Sequence, residues 1–477
     1  MKIKSFILSF LAVLAFVACN NEVINTSYEY EEEEVKEKGY LVLNLTNSPT
    51  TRTSGSETDA GTAEESVINS LMVVFTDATG TIISTTEPGF ANGVTVKFQI
   101  ALGTYDVYAL INKPNEVVVT DGENIEQVIE VTAAEEATSG YKGGSFFMVN
   151  KRNNNSEKAG VSTTITSINS EQNPAIVNIY VDRVACKIVD ETGTPTITNL
   201  ISATGGLINN VEVEGYAVLN VNKKFNLIQK WSKDNTGGMT LNADVLSTPL
   251  YPGGASLIAD QYFHNIGEYT TIEKDGKDSI TSITDITLSG EIFKKGAVYT
   301  TENRPTIIAN GTDNITAGRG ETTGVIYKVK AKKDNDTDLG TFYIFKNVFY
   351  DDLDDIKALQ EFDDQDWTSI EEDIPSLRAL GIRVYEDGIM YYTYFIRDPN
   401  TDYRYEGKDY YGVFRNSTYK LAIKSISSVG DDVPGGAIVD PTKPGEPGNP
   451  PIETDETYLQ VSVVVNKWIL NTLDIYF

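Results

Sequence analysis

One stretch constrains this chain more than any other: an apolar strand placed beyond a segment that cannot build a core. Residues 458–477 read YLQVSVVVNKWILNTLDIYF. In the first half Leu459, Val461, Val463 and Val465 alternate with Gln460, Ser462 and Asn466, and only Val464 breaks the polar side. A period of two marks a half-buried β-strand. After Lys467 and Trp468 a second run puts Ile469, Leu473, Ile475 and Phe477 on one side, so the tail reads as two short strands or one kinked strand. Gly430 to Glu456, just before it, is rich in Pro, Gly and acids and almost lacks large apolar residues. Such a segment is an extended or flexible linker. The tail therefore either folds back over the linker or completes another molecule's sheet.

The chain has 477 residues, enough for two ordinary domains plus appendages. Its 26 Tyr and 18 Phe, with abundant Val, Ile and Thr, favour strands over helices and supply a sizeable core. The net charge of −29 makes nucleic acid a poor partner, because phosphate contacts need clustered Lys and Arg. The acidity itself reads as a soluble, self-repelling surface.

At the N-terminus Lys2 and Lys4 precede an apolar run, Phe6 to Val17, interrupted only by Ser9. The run is too short to span a bilayer comfortably and fits an export signal. Phe16-Val17-Ala18-Cys19 resembles a bacterial lipoprotein lipobox, which implies that Cys19 receives a lipid (palmitate) and becomes the new N-terminus. Phe16 stands where Leu is commoner in that motif. Cys186 would then be an unpaired thiol, and its neighbours Val184, Ala185 and Ile188 suggest that it is buried and inert.

Residues 20–38 are mostly polar and include Glu31 to Glu34, a solvated tether. A strand comes next, with Leu41, Leu43 and Leu45 alternating against Val42, Asn44 and Thr46. The loop after it, Asn47 to Ser66, is rich in Ser, Thr and Gly and carries one basic residue, Arg52. Exposed loops of this composition are where proteases cut. Further strands are expected at 67–75, 94–100, 103–111, 117–119, 127–131, 146–149 and 176–188. A second set is expected at 211–221, 224–231, 286–293, 324–331, 388–396 and 413–426. Helical character is confined to Leu353–Phe362 and Ile370–Leu380, with Pro375 limiting the latter. Turn signals every ten or so residues with little helical periodicity indicate a mainly all-β chain. The expected architecture is two tandem β-sandwich domains with a few short helices, divided near residue 200.

Several pieces together resemble the type V pilins, the lipoprotein-derived fimbrial subunits of Bacteroidales, and most closely the structural subunit of their short fimbriae. They are Tyr391-Tyr-Thr-Tyr-Phe-Ile396, Gly412-Val-Phe-Arg-Asn-Ser-Thr-Tyr419 and Lys420-Leu-Ala-Ile-Lys-Ser-Ile426. Val181-Asp-Arg-Val-Ala185, Gly215-Tyr-Ala-Val-Leu-Asn-Val-Asn-Lys223 and the Pro-rich linker with its terminal strand support them. The resemblance implies Greek-key or transthyretin-like sandwiches and export as a lipoprotein to the outer membrane. It also implies that an Arg-specific protease cuts the loop after the first strand, here between Arg52 and Thr53. Loss of Leu41, Leu43 and Leu45 would open a groove. A neighbouring copy's donor strand would fill it through Leu459, Val461, Val463, Val465, Trp468, Ile469, Leu473 and Ile475. Thr53 comes after Arg52 where the best-known relatives carry Ala, which bears on the identity of the protease.

The implied layout is signal peptide 1–18, propeptide 19–52, β-sandwich domains 53–200 and 201–430, linker 431–457 and donor strand 458–477. The implied partners are copies of the chain itself, fimbrial anchor and tip subunits, the protease and a host or bacterial surface receptor. Two alternatives stand beside this stalk subunit of a surface fimbrium: a tip or accessory adhesin, which should lack a free donor tail, and a surface glycan-binding lipoprotein. The last would use exposed aromatics such as Tyr391, Tyr392, Tyr394, Tyr410 and Tyr411.

No motif carries catalysis. The one histidine, His264, has no nucleophile elbow near it, and one His with effectively one Cys disfavours zinc. Asp334, Asp336 and Asp338 begin like an EF-hand loop, but Leu339 and Phe345 stand where Gly and Glu are needed. Asp351, Asp352, Asp354 and Asp355 suit the first turn of a helix, whose dipole favours carboxylates. Gly318, Gly320 and Gly324 have the wrong spacing for a phosphate loop. No cofactor or metal is expected.

Overall fold

A computed structural model describes, apart from isolated positions, residues 37–47, 58–91, 94–130, 146–151, 159–197, 208–229, 232–233, 239–240, 263–264, 293–303, 307–310, 314–317, 322–333, 337–398, 410–432 and 459–468. Most of them lie in strands and the turns that join strands.

The first strand, β1 (Lys38–Asn47), precedes a two-residue strand, β2 (Thr58–Asp59). Next come β3 (Leu71–Thr76), β4 (Ile82–Thr86), β5 (Phe98–Ala101) and β6 (Gly103–Ile111). After them lie β7 (Met148–Asn150), β8 (Val161–Ile165) and β9 (Ala175–Arg183). All of these except β2 form one eight-stranded sheet in the order β4-β3-β6-β7-β9-β1-β5, with β8 on β6. Its core contains Leu41, Leu43, Leu45, Phe75, Val107, Phe147, Val177 and Ile179, each almost wholly shielded from water. β6 is buried on both faces over Tyr105–Ile111, which is why its sequence is nearly continuously apolar.

The expected single strand at 176–188 is two strands. The pattern along Ile176–Tyr180 is alternate exposure and burial, but from Val181 onward every residue to Ile188 is buried. The chain leaves the first sheet at Val184, whose N–H donates to the Phe147 carbonyl, and enters a second sheet as β10 (Ala185–Asp190). The apolar cores change at the same place: Ala185 packs in the first and Cys186 in the second.

The later strands are β11 (Asn210–Leu219), β12 (Val298–Thr301), β13 (Gly324–Lys332), β14 (Phe342–Phe345) and β15 (Val348–Tyr350). Then come β16 (Ile382–Tyr385), β17 (Ile389–Phe395), β18 (Ser417–Ile426) and β19 (Leu459–Trp468). The second sheet runs β2-β19-β18-β10-β12, with Thr196–Ile197 also on β18. β11-β13-β17 and β15-β14-β16 form two further sheets. Tyr216, Tyr327, Phe342, Tyr385 and Tyr419 fill the second core.

Short helices cover a third cluster around Phe345, Ile356, Phe362 and Leu377. α1 (Leu353–Lys357) begins at Asp352, whose carboxylate accepts from the Asp354 N–H at 2.9 Å, as expected for this acidic run. α2 (Ile374–Ala379) starts later than the expected Ile370 because Pro375 falls in its first turn, where a missing N–H costs nothing. Residues 117–119 form no strand: Val117 closes a turn onto the Pro114 carbonyl.

Charged groups are buried where the sheets meet. The Arg415 guanidinium donates to the Glu302 carboxylate (Nε to Oε1, 2.8 Å) and to the carbonyls of Asn226 (2.7 Å) and Leu227 (3.1 Å). Gln229 donates to the other Glu302 oxygen at 2.6 Å. A buried pair of this kind is poorly replaced by one partner alone, because the survivor keeps its desolvation cost. Arg415→Met should therefore lower unfolding stability by about 3–5 kcal/mol in urea titrations. Adding Glu302→Leu should recover part of that loss rather than double it.

Candidate functional site: the first and last strands

β1 is an interior strand. It pairs in parallel with β9 over Leu41–Asn47 and antiparallel with β5 over Lys38–Leu41. Leu41, Leu43 and Leu45 point into the first core and are fully buried. The opposite face is wetter: Asn44 donates its side-chain amide to Asn178 at 2.8 Å, and Ile176 on β9 is exposed. The β9 ladder extends beyond the β5 pairing, so the slot that holds β1 is closed on one side along Leu41–Asn47 and on the other only near its start.

The segment from Thr62 to Ser66, downstream of β1, is anchored differently. Thr62 and Glu65 cap each other: the Thr62 N–H donates to the Glu65 carboxylate at 2.7 Å and the Glu65 N–H to the Thr62 hydroxyl at 3.2 Å. Arg183, at the sheet crossover, donates to the Glu65 carbonyl at 3.0 Å and the Ser66 hydroxyl at 3.3 Å. Lys187 on β10 lies 3.0 Å from the Glu65 carboxylate, and Tyr299 on β12 donates to it as well. Burial pulls Arg183 down to about 9, with Glu65 the main opposing charge, so it remains a cation at neutral pH. Burial alone pushes the Glu65 carboxyl up. The Tyr299 hydroxyl, the Thr62 amide and Lys187 outweigh it and hold the group below its ordinary 4.5. The chain from Thr62 onward is thus tied to the body by side chains, whereas β1 is held by its ladder and three leucines.

β19, the first half of the tail, lies antiparallel on β18 of its own chain, from Leu459 opposite Ile426 to Lys467 opposite Ser417, with a bulge between Ile423 and Ser425. Of the two arrangements open to the tail, this is the folding-back one. Among the described residues its outer edge pairs with β2, in parallel, at Thr58–Lys467 and Asp59–Trp468. Val461 and Val463 are half-buried against the second core and Val464 is 46% exposed. Leu459, Val465 and Trp468 belong to the strand. Cys19, Arg52, Thr53, Ile469, Leu473 and Ile475 lie outside the described residues, as does nearly all of the linker. The linker's first residues are pinned: Asp431 exchanges two main-chain hydrogen bonds with Tyr391, and the Asp432 carboxylate takes Arg378 at 2.7 Å.

The Arg415-Asn416 block proves architectural. Asn416 adopts φ 59° and reaches the crossover, donating its amide to Asp182 at 2.9 Å and its N–H to the Ala185 carbonyl at 2.8 Å. Tyr419 donates to Asp398 and accepts from the Phe414 N–H, both at 2.8 Å. Cys186 is a buried free thiol, pushed up by that burial. Of the five tyrosines a platform would use, four have described side chains, and these pack inward at least in part. Tyr392 and Tyr411 are buried, Tyr391 packs on Phe293, and Tyr394 packs on the second core. Asp338 is held at 2.6–2.7 Å by Lys330 and Lys332, which pull its carboxyl to about 2. Among the described residues no three His, Cys, Asp or Glu side chains are grouped to hold a metal ion.

Residues 383–474 match the family model for the major fimbrial subunit protein type IV (Fimbrillin), C-terminal. Over this region the chain is fimbrillin-like. The matched residues include β17, β18, the Arg415-Asn416 block and β19. No curated protein sequence matches the chain significantly. Solved structures similar to this chain include a fimbrilin from Porphyromonas gingivalis W83, 12% identical, covering 91% of this chain and 98% of that one, with a TM-score of 0.42. The tip fimbrial protein Mfa3 from Porphyromonas gingivalis, with a C-terminal truncation, is 11% identical, covers 91% and 100%, and scores 0.35. A fimbrial assembly protein from Parabacteroides distasonis ATCC 8503 is 11% identical, covers 82% and 92%, and scores 0.31.

Glu65 gives the anchor downstream of β1 a pH signature. Its folded-state value is lowered, so its contribution is present above 4.5 and is lost as pH falls through that lower value. Glu65→Gln should be clearly less stable than the parent at pH 7. In urea titrations from pH 7 to pH 3, the gap between the two should close on the acid side.

Proposed function

We propose that this chain is the structural stalk subunit of a cell-surface fimbrium, polymerising by donor-strand exchange and supporting adhesion. The observation that carries the reading is the contrast between its two alternating apolar strands. β1 is interior, with three leucines fully buried, yet the chain beyond it is anchored independently. β19 has the same length of ten residues and a similar alternation, but is flanked outward by two-residue β2, with Val461 and Val463 only half-buried.

That contrast suggests an order of events. The precursor is exported as a lipoprotein carrying lipid on Cys19 and reaches the outer membrane. An Arg-specific protease cuts between Arg52 and Thr53, and β1 leaves with the propeptide. Removing β1 exposes ladder groups and about 5–9 kcal/mol worth of leucine burial, at ~1.5–3 kcal/mol for each side chain. A neighbour's β19 restores both, since strand addition replaces main-chain hydrogen bonds one for one and fills pockets with alternate side chains. The linker of about 27 residues can extend up to ~90 Å, so reach is not limiting. Contacts made head to tail do not close on themselves and yield filaments. The fimbrillin match over 383–474 supports a fimbrial role. Anchor and tip subunits and a surface receptor are the further partners of a stalk.

Truncation before Tyr458 should give a soluble, folded monomer that is still cut after Arg52 but builds no filaments. Unheated gels and electron microscopy of the cell surface read the outcome, and long filaments from the truncated protein would overturn the proposal. Arg52→Ala should keep β1 covalently attached. N-terminal sequencing and intact mass should then show no chain beginning at Thr53, and SDS-resistant oligomers should fall at least tenfold.

A further inference from the structure

Which residue of the tail enters which pocket has one best answer, and it rests on the donor-strand reading above. A donor running in the direction of β1 can be placed so that its apolar side faces the core only in steps of two residues. Three steps put apolar residues near the pockets of Leu41, Leu43 and Leu45. In the first, Val463 takes the Leu41 position, and Lys467 then falls on Leu45. That pocket is fully buried and apolar, so an ammonium is excluded.

In the second, Val461 takes Leu41, Val463 takes Leu43 and Val465 takes Leu45. Leu459 then falls on Gly39, where the chain grazes the turn after β8. A Cβ at Gly39 would stand 2.7 Å from Ile165 Cγ2, a buried side chain, and 3.1 Å from the Thr166 carbonyl oxygen. A leucine there meets backbone as well as core. The outward face is also mismatched, since Val464 replaces Asn44 beside Asn178.

In the third, Leu459 takes Leu41, Val461 takes Leu43 and Val463 takes Leu45. Tyr40-Leu41-Val42-Leu43-Asn44-Leu45-Thr46 is then overlaid by Tyr458-Leu459-Gln460-Val461-Ser462-Val463-Val464. Tyr and Leu are identical at the first two positions. Ser462 meets Asn178, so a hydroxyl stands where the Asn44 amide stood, and the β-branched Val464 replaces Thr46 beside Tyr180. In this register Leu459 is the first strand residue and lies at Leu41, two residues past the pinch at Gly39, and Lys467 lies beyond Asn47.

We infer that the donor enters a second copy of this chain parallel to β9 in this third register, with Leu459, Val461 and Val463 in the pockets vacated by Leu41, Leu43 and Leu45. The one residue that breaks the polar side of the tail, Val464, thereby lands next to the exposed ring of Tyr180 rather than against an amide.

Paired cysteines in the full chain test the register. Ser462→Cys with Asn178→Cys, and Gln460→Cys with Ile176→Cys, should each give covalent ladders when assembled filaments are treated with a short thiol-to-thiol crosslinker. Cys186 is buried and does not compete. Val464→Cys with Asn178→Cys should stay at least tenfold less linked. Ladders from that third pair, with none from the first, would overturn the register while leaving strand donation intact. A ladder from Ser462–Asn178 without one from Gln460–Ile176 would overturn the direction. Filaments that form without the tail would instead sink strand donation itself.

Charge substitutions give an independent reading if cysteine pairs impair assembly. Leu459→Asp should cut filament yield at least tenfold, because it enters the Leu41 pocket. Val465→Asp falls on the polar Asn47 position and should leave at least half the yield. The reverse ranking would overturn the proposed register.

Discussion

The polar contacts at the crossover between the two main sheets govern what can move in this molecule and what cannot. Arg183, Lys187 and Glu65, with Arg415 and Glu302 nearby, are nearly excluded from water. Withdrawing such charges from solvent is costly, and the cost is offset only when each finds its partner at hydrogen-bond distance. The partners come from remote segments: Thr62–Ser66, Asn226–Gln229, Glu302 and Asn416. A directional network of this sort accepts one arrangement of chain. β1 lies a few residues upstream and belongs to a different regime. Its ladder bonds are generic and its leucines ask only for apolar volume, because hydrophobic burial has no preferred direction. The same domain therefore contains a body fixed by specific pairs and a strand whose seat asks mainly for main-chain partners and apolar volume.

The alternating strands were legible in the sequence. Leu41, Leu43 and Leu45 and the run from Leu459 to Val463 declare themselves by a period of two, and Gly103–Ile111 was bounded by its turns. The run at 176–188 misled because the chain passes from one sheet to the next while buried on every side, so alternation stops where the change of sheet occurs. The role of Arg415 was invisible for another reason. Its carboxylate partner lies 113 residues away and its carbonyl partners 188 and 189 away. No local pattern reports a pairing that only the finished fold creates. The acidic run at Asp351–Asp355 was readable because a helix cap is a local device.

The seat of the tail was the least legible feature. Edge pairing draws on main-chain groups that every residue has, and alternating strands of similar length occur throughout this chain. What distinguishes β18 as the host is a free edge beside β10 with apolar residues on one face, and that emerges only after the sheet is built. The bulge near Ile423 and the half-burial of Val461 and Val463 mark a fit less complete than that of β1 in its slot.

The small strand β2 gives that seat a further meaning. An unpaired edge and a loose apolar strand are each hazards for a soluble chain, since both template unwanted pairing. Laid together they neutralise one another, and β2 pairs with the far end of the tail over two residues. Two residues of main-chain pairing form a weak fastening, which suits a cover that the proposed exchange would remove. On the proposed donor-strand reading, a subunit in this form is its own wrapper, its tail covering an edge of its own sheet until a better-fitting slot is offered nearby.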